Sequence, residues 1–216
     1  EILDYVFNVL KSQAYIDHTK EVNSIYAFVP IIVYTYKKGA NKLSQHEIKK
    51  MVKWFYYSQI RFRYISQLPQ KLDKDLTIII NEDNPFDKLL NLIALERNLE
   101  ITSNEFEGVG IQHPLWGLMK FYFKSKNAIC LTTGINIRKN MGKKYELEWD
   151  HIFPYSVLRD EGYGMDNRIK YQYAQEITNR AVLTSVANRT KSAQNADIYL
   201  EMAAKRFPKS LQLQCI

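Results

Sequence analysis

The sequence predicts an α+β fold that is mostly α, with a helical bundle over residues 1–125 and a smaller mixed domain over 126–216. Three observations lead there. Apolar residues recur at helical spacing through the first hundred positions, short β-favouring runs replace them after Ser125, and capping or turn residues mark most of the joints. In order, Leu3 to Leu10 reads as a first helix and Asn23 to Tyr36 as a very apolar, central one. Ser44-Gln45-His46-Glu47 is a capping box, followed by Ile48, Met51, Val52, Phe55 and Gln59 on one face. That helix is expected to run to about Tyr64 and to stop before Pro69. Leu72 to Ile80 gives another helix, Asn84-Pro85 opens one that runs through Leu89, Leu90, Ile93 and Leu95, and Pro114 to Phe123 gives the last of the bundle.

Beyond Ser125, Ala128 to Ile137 and Tyr145 to Asp150 read as strands, separated by the turn-like cluster Lys139-Asn140-Met141-Gly142-Lys143. Arg180 to Thr184 is a further strand. Ser185 is placed to cap a helix over Val186 to Ser192, and Ala196 to Phe207 forms a final helix ending at Pro208. The frame is therefore strand, loop, strand, helix.

Composition narrows the function classes. With 216 residues, 46% of them hydrophobic, the chain can bury a sizeable core. The longest apolar run, Ala27 to Tyr36, is too short to span a bilayer, and no basic-then-apolar leader opens the sequence. No membrane partner is expected. Cys130 and Cys215 are the only cysteines, so neither a disulfide framework nor a cysteine-based zinc site is expected, and a reducing cytoplasm is the natural home. Glu1 lies within a helical pattern, which reads as a fragment of a longer protein.

The net charge of +7 favours a polyanionic partner. Between Lys37 and Lys74 ten Lys or Arg face two acids, a local excess of eight, whereas the C-terminal part is closer to balance. Lys49, Lys50 and Lys53 on the capped helix are the candidates for DNA backbone contact, and a merely solvated face is the alternative. The run Trp54-Phe55-Tyr56-Tyr57 reads as helix-interface core rather than a base-stacking platform. His18, His46 and His113 read as structural.

The chemistry concentrates in Glu148-Trp149-Asp150-His151-Ile152-Phe153-Pro154, Asn179-Arg180-Ala181-Val182-Leu183-Thr184 and Asn188-Arg189-Thr190-Lys191-Ser192. These blocks combine a carboxylate, an imidazole and two carboxamides, groups suited to holding one hard divalent cation beside a general base. The pattern Asp-His-Ile-x-Pro, Asn-x-x-Leu-Thr, Asn-Arg-x-Lys-Ser resembles the HNH, or ββα-metal, nucleases. It is most similar to the C-terminal nuclease domain of GmrSD-type, modification-dependent restriction enzymes of bacterial phage defence. Trp54 to Gln59, Arg63-Tyr64 and Lys71 to Asp75 resemble the helical region that precedes that domain.

The resemblance implies His151 as the general base, Asp150 and Asn188 as metal ligands, and Asn179 as the brace that orients the histidine. It implies Mg²⁺, with Mn²⁺ able to substitute, and double-stranded DNA, including modified phage DNA, as substrate. The products would carry 3′-hydroxyl and 5′-phosphate ends. Lys191 and Arg189 become candidates for phosphate contact. An upstream nucleotide-hydrolysing and sensing domain of the full-length protein is the implied partner, and a homodimer is one arrangement that would supply two centres for a double-strand break. A non-catalytic nucleic-acid-binding or docking module, and an RNA-cleaving toxin on the same frame, are the alternatives. Neighbours in a flat strand point to opposite faces, so Asp150 and His151 are expected where the strand ends.

Overall fold

The computed structural model describes residues 1–39, 42–138 and 147–216. The turn-like cluster expected at Lys139 to Lys143, and the expected strand start at Tyr145, lie outside them. The chain divides into two compact units, Glu1–Ile101 and Thr102–Ile216. Among the described residues no helix is long and apolar enough to cross a membrane.

Among the described residues the first unit's regular structure is helical, its α-helices being α1 (Ile2–Gln13), α2 (Phe28–Lys37), α3 (Gln45–Ile60), α4 (Leu68–Asn81) and α5 (Pro85–Glu96). The capping box forms as the sequence predicts, with Ser44 accepting from Glu47 N and Glu47 reaching back to Ser44 N. Two boundaries move, each for a local reason. The Gln59 amide bonds both the N–H and the carbonyl of Ser24, holding that backbone out of helix, so α2 starts at Phe28 with Pro30 in its first turn. At the other end of α3, Phe62 takes a left-handed φ of 55° and Arg63 N closes onto Ser58 O at 2.9 Å. The helix therefore ends at Ile60 rather than Tyr64, before Pro69 as expected, and Pro69 is the second residue of α4, which starts at Leu68.

Trp54, Phe55 and Tyr56 are buried, with Phe55 stacked on Phe28 at 5.8 Å and Trp54 tilted on Phe86 at 5.6 Å. They are core. Beside them lies a buried ionic network. Arg63 grips Asp75 through Nε at 3.2 Å and Nη2 at 2.8 Å, and Tyr64 donates to Asp75 Oδ2 at 2.6 Å. Arg63 also donates to Glu96 at 2.6 Å, and Lys71 joins Glu96 at 3.2 Å.

In the second unit α6 (Pro114–Ser125) is followed by the strand β1 (Leu147–His151), then α7 (Tyr155–Asp160), α8 (Arg168–Ala174), β2 (Arg180–Thr184), α9 (Ser185–Lys191), α10 (Ala196–Arg206) and α11 (Ser210–Leu213). α6 belongs here, against the expected division at 125/126, because Trp116 and Phe123 pack on Trp149 at 4.6 and 6.0 Å. The strand expected over Ala128 to Ile137 is not one. Gly134 at φ 67° turns the segment back, with Gly134 N on Cys130 O, leaving a single bridge between Ile129 and Asn136.

β1 and β2 pair antiparallel from Leu147↔Thr184 to His151↔Arg180. One face carries Leu147, Trp149 and Val182 into a cluster with Phe123 and Ile137; the other carries Ala181 and Leu183 into a cluster with Ala187, Tyr199 and Ala203. The Gln214 side chain accepts from Val182 N at 2.7 Å and donates to Val182 O at 3.1 Å and Ile129 O at 2.7 Å. Thr184, not Ser185, caps α9, accepting from Ala187 N at 3.3 Å.

Candidate functional site

The second unit contains an antiparallel strand pair whose second strand runs directly into a short helix, and the motif blocks sit on or beside its three parts. The period of two along β1 puts Glu148 and Asp150 opposite Leu183 and Ala181, on the face that α9 covers. From α9, Asn188 donates through Nδ2 to Glu148 Oε2 at 2.7 Å, which leaves its carboxamide oxygen uncommitted by that bond. One turn on, Lys191 sends its ammonium to Asp150 Oδ2 at 2.5 Å and to the His151 carbonyl at 2.8 Å, over the Tyr199 ring at 5.1 Å. Its side chain is only 1% exposed. Lys191 is therefore an internal cation rather than a group reaching out to phosphate. Arg189 is exposed, its Nε held on Ser185 O at 3.2 Å.

Burial works against the charge on Asp150. The hydrogen bond and the positive charge of Lys191, with the backbone N–H of His151, nevertheless hold its carboxyl down at about 2.

His151 is the last residue of β1, at the strand end that its adjacency to Asp150 required. Its Nδ1 comes within 3.9 Å of Asp150 Oδ1 although the two residues are strand neighbours. Its Nε2 lies 3.2 Å from Gln175 Oε1, and Arg180 Nη2 donates to the same oxygen at 2.9 Å. Arg180 is a permanent donor, so the Gln175 amide must turn its oxygen, not its nitrogen, toward both groups. In the neutral ring the proton then sits on Nε2 and the lone pair on Nδ1, the nitrogen beside Asp150. Arg180 Nη1 lies 3.5 Å from that nitrogen. The buried Nε–H of Arg180 has no acceptor among the described residues.

Asn179 braces the turn after the histidine. It accepts from Phe153 N at 2.9 Å and donates to Phe153 O at 3.3 Å and Ala174 O at 3.0 Å, while its own carbonyl accepts from Ile152 N at 2.9 Å. Glu148, Gln175 and Arg180 were not read as site residues from the sequence. Glu148 carried a usable signal: it lies two before Asp150 in a strand and so shares its face. Gln175 carried none, since it reaches the histidine only through the unforeseen helix α8.

Lys49, Lys50 and Lys53 belong to the first unit. Lys49 and Lys53 are exposed one turn apart on α3, and Lys50 pairs with Asp87 at 2.5 Å.

Asp150, Asn188 and Glu148 offer the oxygen donor type that a hard divalent cation takes, although Lys191 occupies one oxygen of Asp150 and Asn188 one of Glu148. Among the described residues no three His, Cys, Asp or Glu side chains gather as a metal cluster, so any such site would rest on the carboxamide of Asn188. Compared with known proteins, the chain matches no protein family, no curated protein and no solved structure.

Proposed function

We propose that the second unit is a metal-dependent endonuclease that hydrolyses DNA phosphodiester bonds, in the manner of the HNH nucleases its motif resembles. The observation that carries this reading is His151 Nδ1 within 3.9 Å of the Asp150 carboxylate, on a strand–strand–helix frame that also brings in Asn188. In this reading His151 Nδ1 takes the proton from an attacking water, and Gln175 and Arg180 fix the ring and its tautomer. Asp150 and Asn188, with Glu148 adjacent, would hold Mg²⁺ or Mn²⁺. When bound, such a cation neutralises charge on the scissile phosphate and on the departing 3′ oxygen. Lys191 keeps Asp150 ionised, and Asn179 holds the backbone on which the histidine ends. The setting that goes with the resemblance, a bacterial restriction system with an upstream sensing domain, is part of the proposal.

One observation favours a second reading. The Lys191 ammonium already seated on Asp150 is what a non-catalytic nucleic-acid-binding module would use in place of a metal.

The two separate in one assay. Supercoiled plasmid and a structured RNA are incubated with the protein in Mg²⁺, Mn²⁺ or EDTA, beside His151→Ala. The nuclease reading expects divalent-dependent nicking of the plasmid and a loss of at least about 10²-fold in the variant. Cutting that persists in both EDTA and His151→Ala would sink it, and binding without cutting supports the module. Cleavage confined to the RNA moves the substrate, not the chemistry.

A further inference from the structure

Just past the histidine, the second unit opens an aromatic cleft. Phe153, Tyr163 and Tyr173 line it with Leu158, Ala174 and Asn179, around a volume of about 380 Å³. Phe153 is 55% and Tyr173 51% exposed, a large apolar surface left to solvent. The cleft is also rigidly spaced. The Asn179 carboxamide bonds Phe153 on one wall and the Ala174 carbonyl, next to Tyr173, on the other. One side chain therefore sets the separation of the two backbone segments that carry Phe153 and Tyr173 before any ligand arrives.

We propose that this cleft seats one unstacked nucleobase of a single-stranded or locally melted nucleic acid. The proposal rests on the nuclease reading and names the form of its substrate. Exposed rings carried on a braced backbone offer flat faces to any base. The Lys170 ammonium, 5.2 Å from the Tyr163 ring, supplies a cation at the rim for the strand's phosphates. Phe153 lies two residues beyond His151, roughly 7 Å along an extended chain, so the seated base belongs to a nucleotide flanking the scissile phosphate. A base inside a continuous duplex cannot enter without leaving its stack. The cleft therefore selects bulged, unpaired or melted sites.

The test uses labelled single-stranded DNA and RNA 12-mers and the matching blunt duplex, titrated in EDTA so that nothing is cut. Phe153→Ala and Tyr173→Ala should each weaken single-strand binding by about 5- to 100-fold, the loss expected for one stacking partner, and leave duplex binding unchanged. Phe153→Trp and Tyr173→Phe, which keep a ring, should bind as the wild type does. Both parent rings are exposed, so folding is expected to survive, and circular dichroism checks it. Single-strand affinity unchanged in both alanine variants overturns the proposal. So does a concentration-dependent dimer that dissociates on Phe153→Ala with oligonucleotide affinity intact, which assigns the cleft to a second copy of the chain. DNA and RNA arms bound alike show that the base, not the sugar, is what the rings hold. Plasmid nicking is scored separately. Ring-dependent binding without divalent-dependent nicking removes only the nuclease reading, and nicking without ring-dependent binding removes only the base seat.

Discussion

The two units each gather charges below the surface, and they do so to opposite ends. Around Arg63 the side chains are sealed, with Arg63 2% and Asp75 1% exposed, and every oxygen of Asp75 is taken by Arg63 or Tyr64. Around His151 the side chains of Asp150 and His151 keep 25% and 14% of their exposure, and Nδ1 meets a long 3.5 Å contact from Arg180 Nη1 beside Asp150 Oδ1 at 3.9 Å. Both are ionic and both lie among aromatic residues. What separates structure from candidate chemistry is whether the donors and acceptors are closed on one another.

The sharpest way to break the comparison is to open the closed network. Asp75→Ala leaves Arg63 buried without its carboxylate and should cost about 3–5 kcal/mol in urea unfolding. Nicking measured per folded molecule should stay at the wild-type level. A cost below about 1 kcal/mol would mean that the first network is not closed after all.

Removing the cation of the second cluster should do less. Lys191→Met leaves the partly buried Asp150 without its ammonium, and stability at pH 7 should fall by about 2 kcal/mol. The pH dependence carries the sign. Because the folded carboxyl is held at about 2, below its ordinary 3.8, its contribution is fully present above the unfolded value. It is lost as pH falls from about 4 through 2. The difference between wild type and variant in pH-resolved urea melts should therefore shrink across that window. A difference independent of pH would assign the loss to packing against Tyr199.

The smallest effect concerns neither cluster. Lys49→Glu with Lys53→Glu should lower the salt slope of DNA binding by about 1 for each phosphate that the lysines no longer neutralise. An unchanged slope returns that face of α3 to ordinary solvation. It would also leave the second unit as the place to look for backbone contacts.

Much of this frame was legible in the sequence wherever a local signal had a single meaning. The Ser44–Glu47 box set the start of α3, and the apolar run from Arg180 to Thr184 set β2 at both ends. Asp150, His151, Asn179 and Asn188 could be picked out as a motif, although their partners could not. Asn188 turned out to meet Glu148, and Asp150 to meet Lys191, because those pairings depend on how α9 lies across the sheet. α7 and α8 went unread because they are short and expose apolar residues such as Ile169 and Tyr173, which blurs any helical period. Ala128 to Ile137 misled for the converse reason. Its residues favour strands, but the turn at Gly134 folds them onto themselves before a partner is reached.

Gln214 has a consequence that reaches beyond the site. A two-stranded ribbon has backbone groups along both rims that would recruit a strand from another molecule, and here a single carboxamide occupies the donor and the acceptor of Val182. The side chain acts as a one-residue surrogate strand. Gln214→Ala would leave the N–H and the carbonyl of Val182 buried without a partner on the very ribbon that carries His151, and lost stability is the failure to watch for.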